Sequence, residues 1–136
     1  MYFEDLGARW YFPLAPDVVT VGWLEPEAPV SRGESPPAFV EALQRHLATR
    51  QYRPWMFAGV HRCEFCQQAI DTGELFIPTP AKLYLAPVMI GHYVVRHQYS
   101  PPPEFVEAVL ACPAQDSDEY TRLIQRYGAI CLYEGR

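Results

Sequence analysis

No apolar run in this chain of 136 residues approaches the ~20 that would span a bilayer, so a membrane-spanning protein is not expected. The first residues, MYFEDLGARWYF, lack the basic n-region and the apolar h-region of a secretory signal. A cytoplasmic protein is therefore expected, with no membrane partner. A basic excess is also missing. Sixteen acids outweigh eleven bases, and a net charge of −5 argues against broad binding to nucleic acid or anionic lipid. No internal repeat is visible: SPPAF and SPPPEF look alike, but each is only a cap followed by an aromatic anchor. The four cysteines do not form a disulfide framework. Two sit in one C-x-x-C and two lie far downstream, a pattern that favours metal or redox chemistry in a reducing compartment.

What is present is a core. Apolar residues make up 49% of the chain, including nine Tyr, seven Phe and three Trp, which is ample for one domain over 1–136. Fourteen prolines should shorten the elements and lengthen the connections between them. Residues 1–17 read as an aromatic-anchored extended arm. Residues 18–24 (VVTVGWL) read as a strand, and 25–37 (EPEAPVSRGESPP) as a mobile loop. Ser35 before Pro36 and Pro37 is a helix start, and Phe39, Val40, Leu43 and Leu47 give an amphipathic helix over 37–50. His46 falls beside that stripe as a boundary residue. Residues 55–60 (WMFAGV) form a short apolar run. Residues 74–78 and 82–86 pair as a hairpin across Thr79-Pro80-Ala81. A helix follows over 88–99, beginning near Pro87. Phe105, Val106, Val109 and Leu110 mark another helix. Asp116 with Glu119 resembles a capping box for a last one, with Gly128 as its stop. Residues 129–133 read as a last strand or a packed tail.

The chemistry concentrates in residues 58–99. Cys63 and Cys66 stand in a C-x-x-C bend, and His92 and His97 lie on the helix beyond the hairpin. Two thiolates and two imidazoles suit tetrahedral zinc, and the order bend, hairpin, helix is that of a treble-clef site. One geometric point opposes a simple assignment. Residues five apart on an ideal α-helix are rotated by roughly 140°. His92 and His97 can share one metal only if the helix tightens or ends between them. His61, two residues before Cys63 on an extended segment, is the alternative ligand. Cys112 and Cys131 follow no ligand spacing and read as small buried residues.

Other chemistries fit less well. A thioredoxin-like C-x-x-C would open a long helix, whereas residues 67–73 (QQAIDTG) are short and precede strands. A zinc-dependent hydrolase would need an open coordination position and a base, for which Glu64 is the nearest candidate. The deaminase signature H-x-E is absent. Arg45, Arg50, Arg53 and Arg62, interleaved with Tyr52, Trp55 and Phe57, form a stretch without acids. It could follow a phosphate backbone or meet an acidic protein.

The run G-x-H-x-C-x-x-C over 59–66, then Tyr84-x-Ala86-Pro87, His92-Tyr93-x-x-x-His97-x-Tyr99 and Pro101-Pro102-x-x-Phe105, resembles a family of small uncharacterised bacterial proteins. Val21-Gly22-Trp23-Leu24 is similar to the start of the same family, and the resemblance spans roughly residues 20–112. It implies a bacterial protein in which these residues work as one unit. It brings no established activity, and such proteins can be immunity or accessory factors. The expectation is an α+β fold with a small antiparallel sheet and three to four helices around a zinc-bound bend–hairpin–helix. The expected function is a non-enzymatic binding or adaptor protein whose partner is another protein. Nucleic-acid binding and metalloenzyme activity are the alternatives.

Overall fold

The computed structural model describes residues 2–54 and 60–130. Its elements run β1 (Val18–Thr20), α1 (Pro37–Ala48), β2 (Val60–Arg62), β3 (Ile70–Thr72), β4 (Glu74–Pro78), β5 (Leu83–Pro87), α2 (Ile90–His97), α3 (Pro103–Ala111) and α4 (Asp118–Gln125). The fold class is the mixed α+β one expected, with four helices and sheets of three and two strands among the described residues. Trp55, Phe57, Cys131 and the greater part of the runs 55–60 and 129–133 lie outside the described residues.

The central sheet has the order β1-β5-β4. Its hairpin, β4 with β5, is antiparallel and pairs Phe76 with Leu85. Thr79 closes the turn: its hydroxyl accepts from the Lys82 N–H at 2.9 Å and donates to the Lys82 carbonyl at 2.8 Å. β1 joins β5 in parallel, with Val19 opposite Tyr84. The sheet is therefore mixed where an antiparallel one was expected. Parallel neighbours need a long crossover, here most of residues 21–82, and no local pattern reports such a pairing.

Both faces of this sheet are buried. Leu75, Ile77, Tyr84 and Ala86 face one way, onto Phe39 and Leu43 of α1, Ile90 of α2 and Phe105 of α3. Phe76, Leu83 and Leu85 face the other way, onto Trp10, Trp23 and the α4 residues Tyr120 and Ile124. The period of two thus feeds two cores, and β5 is buried at every position. Each fully buried Leu or Ile contributes about 1.5–3 kcal/mol.

The N-terminal arm, expected to be extended, turns at Asp5–Leu6 and folds back through a bridge between Arg9 and Pro13, and it is tied down at intervals. Bridges join Phe3 to Trp23 and Gly7 to Thr20. Asp5 accepts the Gly22 N–H at 3.0 Å and the Tyr99 hydroxyl at 2.7 Å. Gly22 has φ +84 and lies against Ile90, so it meets both a left-handed backbone and a close approach.

Helix starts differ from expectation in one consistent way. Pro36 and Pro102 themselves occupy the N-cap positions of α1 and α3, without any side-chain cap. Ser35 is thereby displaced from the capping position, and the Pro36 carbonyl takes the N–H groups of Phe39 and Val40. In α4 the cap is Ser117, whose side chain accepts from the Tyr120 N–H, rather than Asp116. α2 starts at Ile90, because Pro87 belongs to β5.

Candidate metal centre

Cys63 and Cys66 are carried on a two-stranded ribbon that sequence reading missed. β2 and β3 pair antiparallel, with His61 opposite Asp71. The bend between them closes through the Cys63 N–H on the Ala69 carbonyl at 2.9 Å and the Gln67 N–H on the Cys63 carbonyl at 2.7 Å. Gln67 takes φ 61, a left-handed conformation that reverses the chain. Cys63 is fully buried. Burial pushes its thiol pKa up, while the backbone N–H groups of Cys66 and Phe65, bonded to it, pull the other way. Those amides stabilise a thiolate wherever a cation stands beside it.

His92 lies in the first turn of α2 and His97 is its last residue. The sequence required the helix to tighten or end between the two histidines; instead its last turn widens and the helix ends at His97. The Gln98 N–H bonds to the Tyr93 carbonyl five residues back, and the Tyr99 N–H takes the same acceptor. That widened, π-type turn brings a spacing of five closer to one full turn. Gln98, at φ 53, then stops the helix. Burial lowers the pKa of both histidines, for His92 with help from Arg96, and for His97 from its neighbours His92, Arg32 and Arg96. Both shifts favour the neutral imidazole, the form a metal requires.

The ribbon and α2 bring the four donors to one point. Cys63 Sγ lies 3.4 Å from His97 Nε2, Cys66 Sγ lies 3.4 Å from His92 Nε2, and the two Nε2 atoms are 3.1 Å apart. All four donor atoms fall within 4.8 Å of one another. Tetrahedral zinc, with Zn–S of about 2.3 Å and Zn–N of about 2.0–2.1 Å, sets S–N separations of about 3.6 Å and N–N of about 3.4 Å. Those three separations match within a few tenths of an ångström, so this Cys2His2 set could hold a metal ion.

A strap braces the cluster. The Arg32 guanidinium donates to the His97 carbonyl at 2.8 Å and lies 5.5 Å from the centre of the Phe65 ring. Phe65, inside the C-x-x-C, packs 5.2 Å from the His97 ring and edge-on to Tyr93. The Gly33 N–H reaches the Gln98 carbonyl, and the Ser100 N–H the Ser31 carbonyl. Residues 31–33, expected to be mobile, instead pin the end of α2. One arginine in a proline-rich loop carries no sequence signal for this role.

The remaining candidates sit elsewhere. His61 stands outside the cluster, with its ring 5.5 Å from Trp23. Burial lowers its pKa. His46 is buried and is not a boundary residue: its Nε2–H donates to the Val109 carbonyl at 3.2 Å and its Nδ1 accepts from Gln115 at 3.1 Å. Cys112 is half-buried, with its thiol pushed up to about 12 by burial. In the basic stretch, Arg45, Arg53 and Arg62 are exposed. Arg50 donates to the Glu74 carbonyl at 3.2 Å, and Tyr52 packs edge-on to Phe76 at 5.0 Å. Both are committed to the fold.

Fold and site together define a small mixed α+β protein with a Cys2His2 cluster able to hold a metal. No helix among the described residues is long and apolar enough to cross a membrane. The chain belongs to the family described as Domain of unknown function (DUF7919), which matches residues 1–110. The match reaches further toward the N-terminus than the motifs indicated. It takes in the arm and all four cluster residues and stops before α4. No curated protein and no solved structure matches the chain.

Proposed function

We propose that the chain is a non-enzymatic binding or adaptor protein for another protein, acting in the cytoplasm, whose central fold is clasped by one structural zinc ion on Cys63, Cys66, His92 and His97. The observation that carries the zinc reading is the 3.1–3.4 Å spacing of the donors. Two sulfurs and two imidazole nitrogens select zinc over hard cations, which prefer oxygen. The bend on β2–β3, the hairpin β4–β5 and the helix α2 follow in treble-clef order.

A structural role follows from the ligand count. Catalytic zinc keeps three protein ligands and one solvent position, whereas structural sites use four protein ligands. Four side chains are gathered here, which supports a closed site. The engagement of Arg50 and Tyr52 in the fold favours a protein partner over nucleic acid for this surface.

Metal analysis of tag-free protein tests the reading. The expectation is about one zinc per chain, falling below half in Cys66→Ser and His97→Ala and unchanged in His61→Ala. Less than half an equivalent in the wild-type chain, with the fold fully retained in chelator, overturns it.

A further inference from the structure

The two halves of the clasp are held unequally. The imidazoles stand on α2, whose Ile90, Gly91, Tyr93 and Val94 are buried, and Arg32 pins the His97 carbonyl at 2.8 Å. The thiols stand on the β2–β3 ribbon, where β3 is exposed along its whole length and β2 is exposed except at a half-buried His61. The two sulfurs also differ. Cys63 is fully buried, whereas Cys66 is half-buried and open to a small solute. Both belong to the cluster whose donor atoms lie within 4.8 Å of one another, so an S–S bond of about 2.05 Å is within reach of side-chain rotation in the bend. Cys112 lies outside that cluster. Its thiol donates to the Pro113 carbonyl at 3.4 Å, and burial pushes it up to about 12, which keeps it protonated and unreactive.

Zinc has no redox chemistry of its own, so an oxidant that enters such a site meets the sulfurs. We infer that the clasp is a peroxide-sensitive switch, in which a hydroperoxide joins Cys63 to Cys66 as a disulfide, zinc leaves and the ribbon parts from α2. The Cys66 thiolate attacks one peroxide oxygen. The O–O bond breaks, hydroxide leaves and Cys66 carries a sulfenic acid. The Cys63 thiolate then attacks the Cys66 sulfur, the S–O bond breaks and a second hydroxide leaves. Two protons from solvent turn the hydroxides into water. The thiolates have lost two electrons and the peroxide has taken both. A disulfide offers the metal no thiolate, and two imidazoles alone fall short of a tetrahedron. Low-molecular-weight thiols reverse the step by forming their own disulfide, so in a reducing compartment the oxidised state is transient.

The consequence reaches the neighbouring surface. A cleft of about 610 Å³ has Val60, Arg62 and Glu64 of the ribbon and bend on one side, and Tyr11 and Phe12 of the N-terminal arm on another. The His61 ring lies 5.5 Å from Trp23 in the same cleft. A ribbon released from α2 takes a wall of this cleft with it, beside rings that are already 45% and 38% exposed at Tyr11 and Phe12. The inference rests on the zinc reading and adds the regulation of that site.

The test treats zinc-loaded, tag-free protein with hydrogen peroxide in molar excess. Zinc is followed with a metallochromic dye, disulfides by peptide mass after alkylation, and the ribbon by amide exchange. Release of about one zinc per chain is expected, together with a Cys63–Cys66 disulfide and a Cys112 that still alkylates. Protection of the Cys63 N–H should be lost while the Tyr93 and Val94 amides of α2 keep theirs. Dithiothreitol with added zinc should restore the starting state. Cys112→Ala combined with Cys131→Ala keeps all four ligands and should respond as the wild-type chain does. Zinc retained in peroxide, a disulfide through Cys112 or Cys131, oxidation that stops at a sulfinic acid on Cys66, or an intact Cys63 amide after oxidation overturns the inference. A chain that carries no zinc before peroxide is added fails the zinc reading as well, whereas one that holds zinc and keeps it fails this inference alone.

Discussion

Stripping the metal from the clasp should loosen the β2–β3 ribbon and leave the central sheet standing. All three residues of β3 are exposed, and Val60 and Ile70 remain 69% and 55% exposed. From the bend only Cys63 is fully buried, with Phe65 and Ala69 packed partly against the core. An isolated two-stranded ribbon of this kind is marginal in water. On the zinc reading, a bound metal would supply what its packing does not. A ligand that binds only the folded state, held a thousandfold above its dissociation constant, stabilises by about 4.1 kcal/mol. Unfolding entropy of about 2.1 cal/mol/K per residue over 136 residues turns that into a Tm loss of about 14 °C in excess chelator. Thermal unfolding with and without chelator measures the loss, and amide exchange locates it. Protection of the Cys63 N–H should collapse while Leu85, 0% exposed in the central strand, stays protected. A Tm unchanged within about 2 °C, or an intact Cys63 amide in chelator, would refute the reasoning.

Three further outcomes follow from the fold. Gly22→Ala forces a Cβ into a backbone at φ +84 and to 2.8 Å from Ile90 Cδ1, so chemical denaturation should show a loss of about 2 kcal/mol or more; a loss under about 0.5 kcal/mol contradicts the packing described. Tyr99→Phe removes the 2.7 Å bond to Asp5 and should cost about 1–3 kcal/mol, with the N-terminal arm the first segment to gain exchange; unchanged exchange in the arm would count against that tether. His46 has a folded pKa lowered by burial from 6.5, so its contribution is complete above 6.5 and is lost as pH falls from there through the folded value. Between about pH 7 and pH 5, Tm should fall more steeply in the wild-type chain than in His46→Gln; parallel curves would exclude His46 as a source of acid sensitivity.

Much of this architecture was visible as pattern. The short strand-like runs 74–78 and 82–86 announced the hairpin, and helical spacing announced α1, α3 and α4. The four donors stood out because thiol pairs and imidazoles at such spacings have few other uses. What escaped had no local signature. β2 and β3 carry little apolar alternation, because they are exposed and do not serve the core. The parallel pairing of β1 with β5 joins residues far apart in the chain. The widened turn that lets His92 approach His97 depends on a backbone bond from Gln98 to Tyr93, which no side chain encodes. The bracing of His97 rests on Arg32 alone in an otherwise loop-like stretch. The prolines misled at the helix starts, where Pro36 and Pro102 took the capping place assigned to a hydroxyl.

Whether the metal site is closed by four side chains is read by X-ray absorption at the zinc edge on protein purified without a tag. The account predicts a first shell of two sulfurs near about 2.3 Å and two nitrogens near about 2.0–2.1 Å, identical in His61→Ala. A shell with one sulfur, or with an oxygen in place of either imidazole, would contradict it.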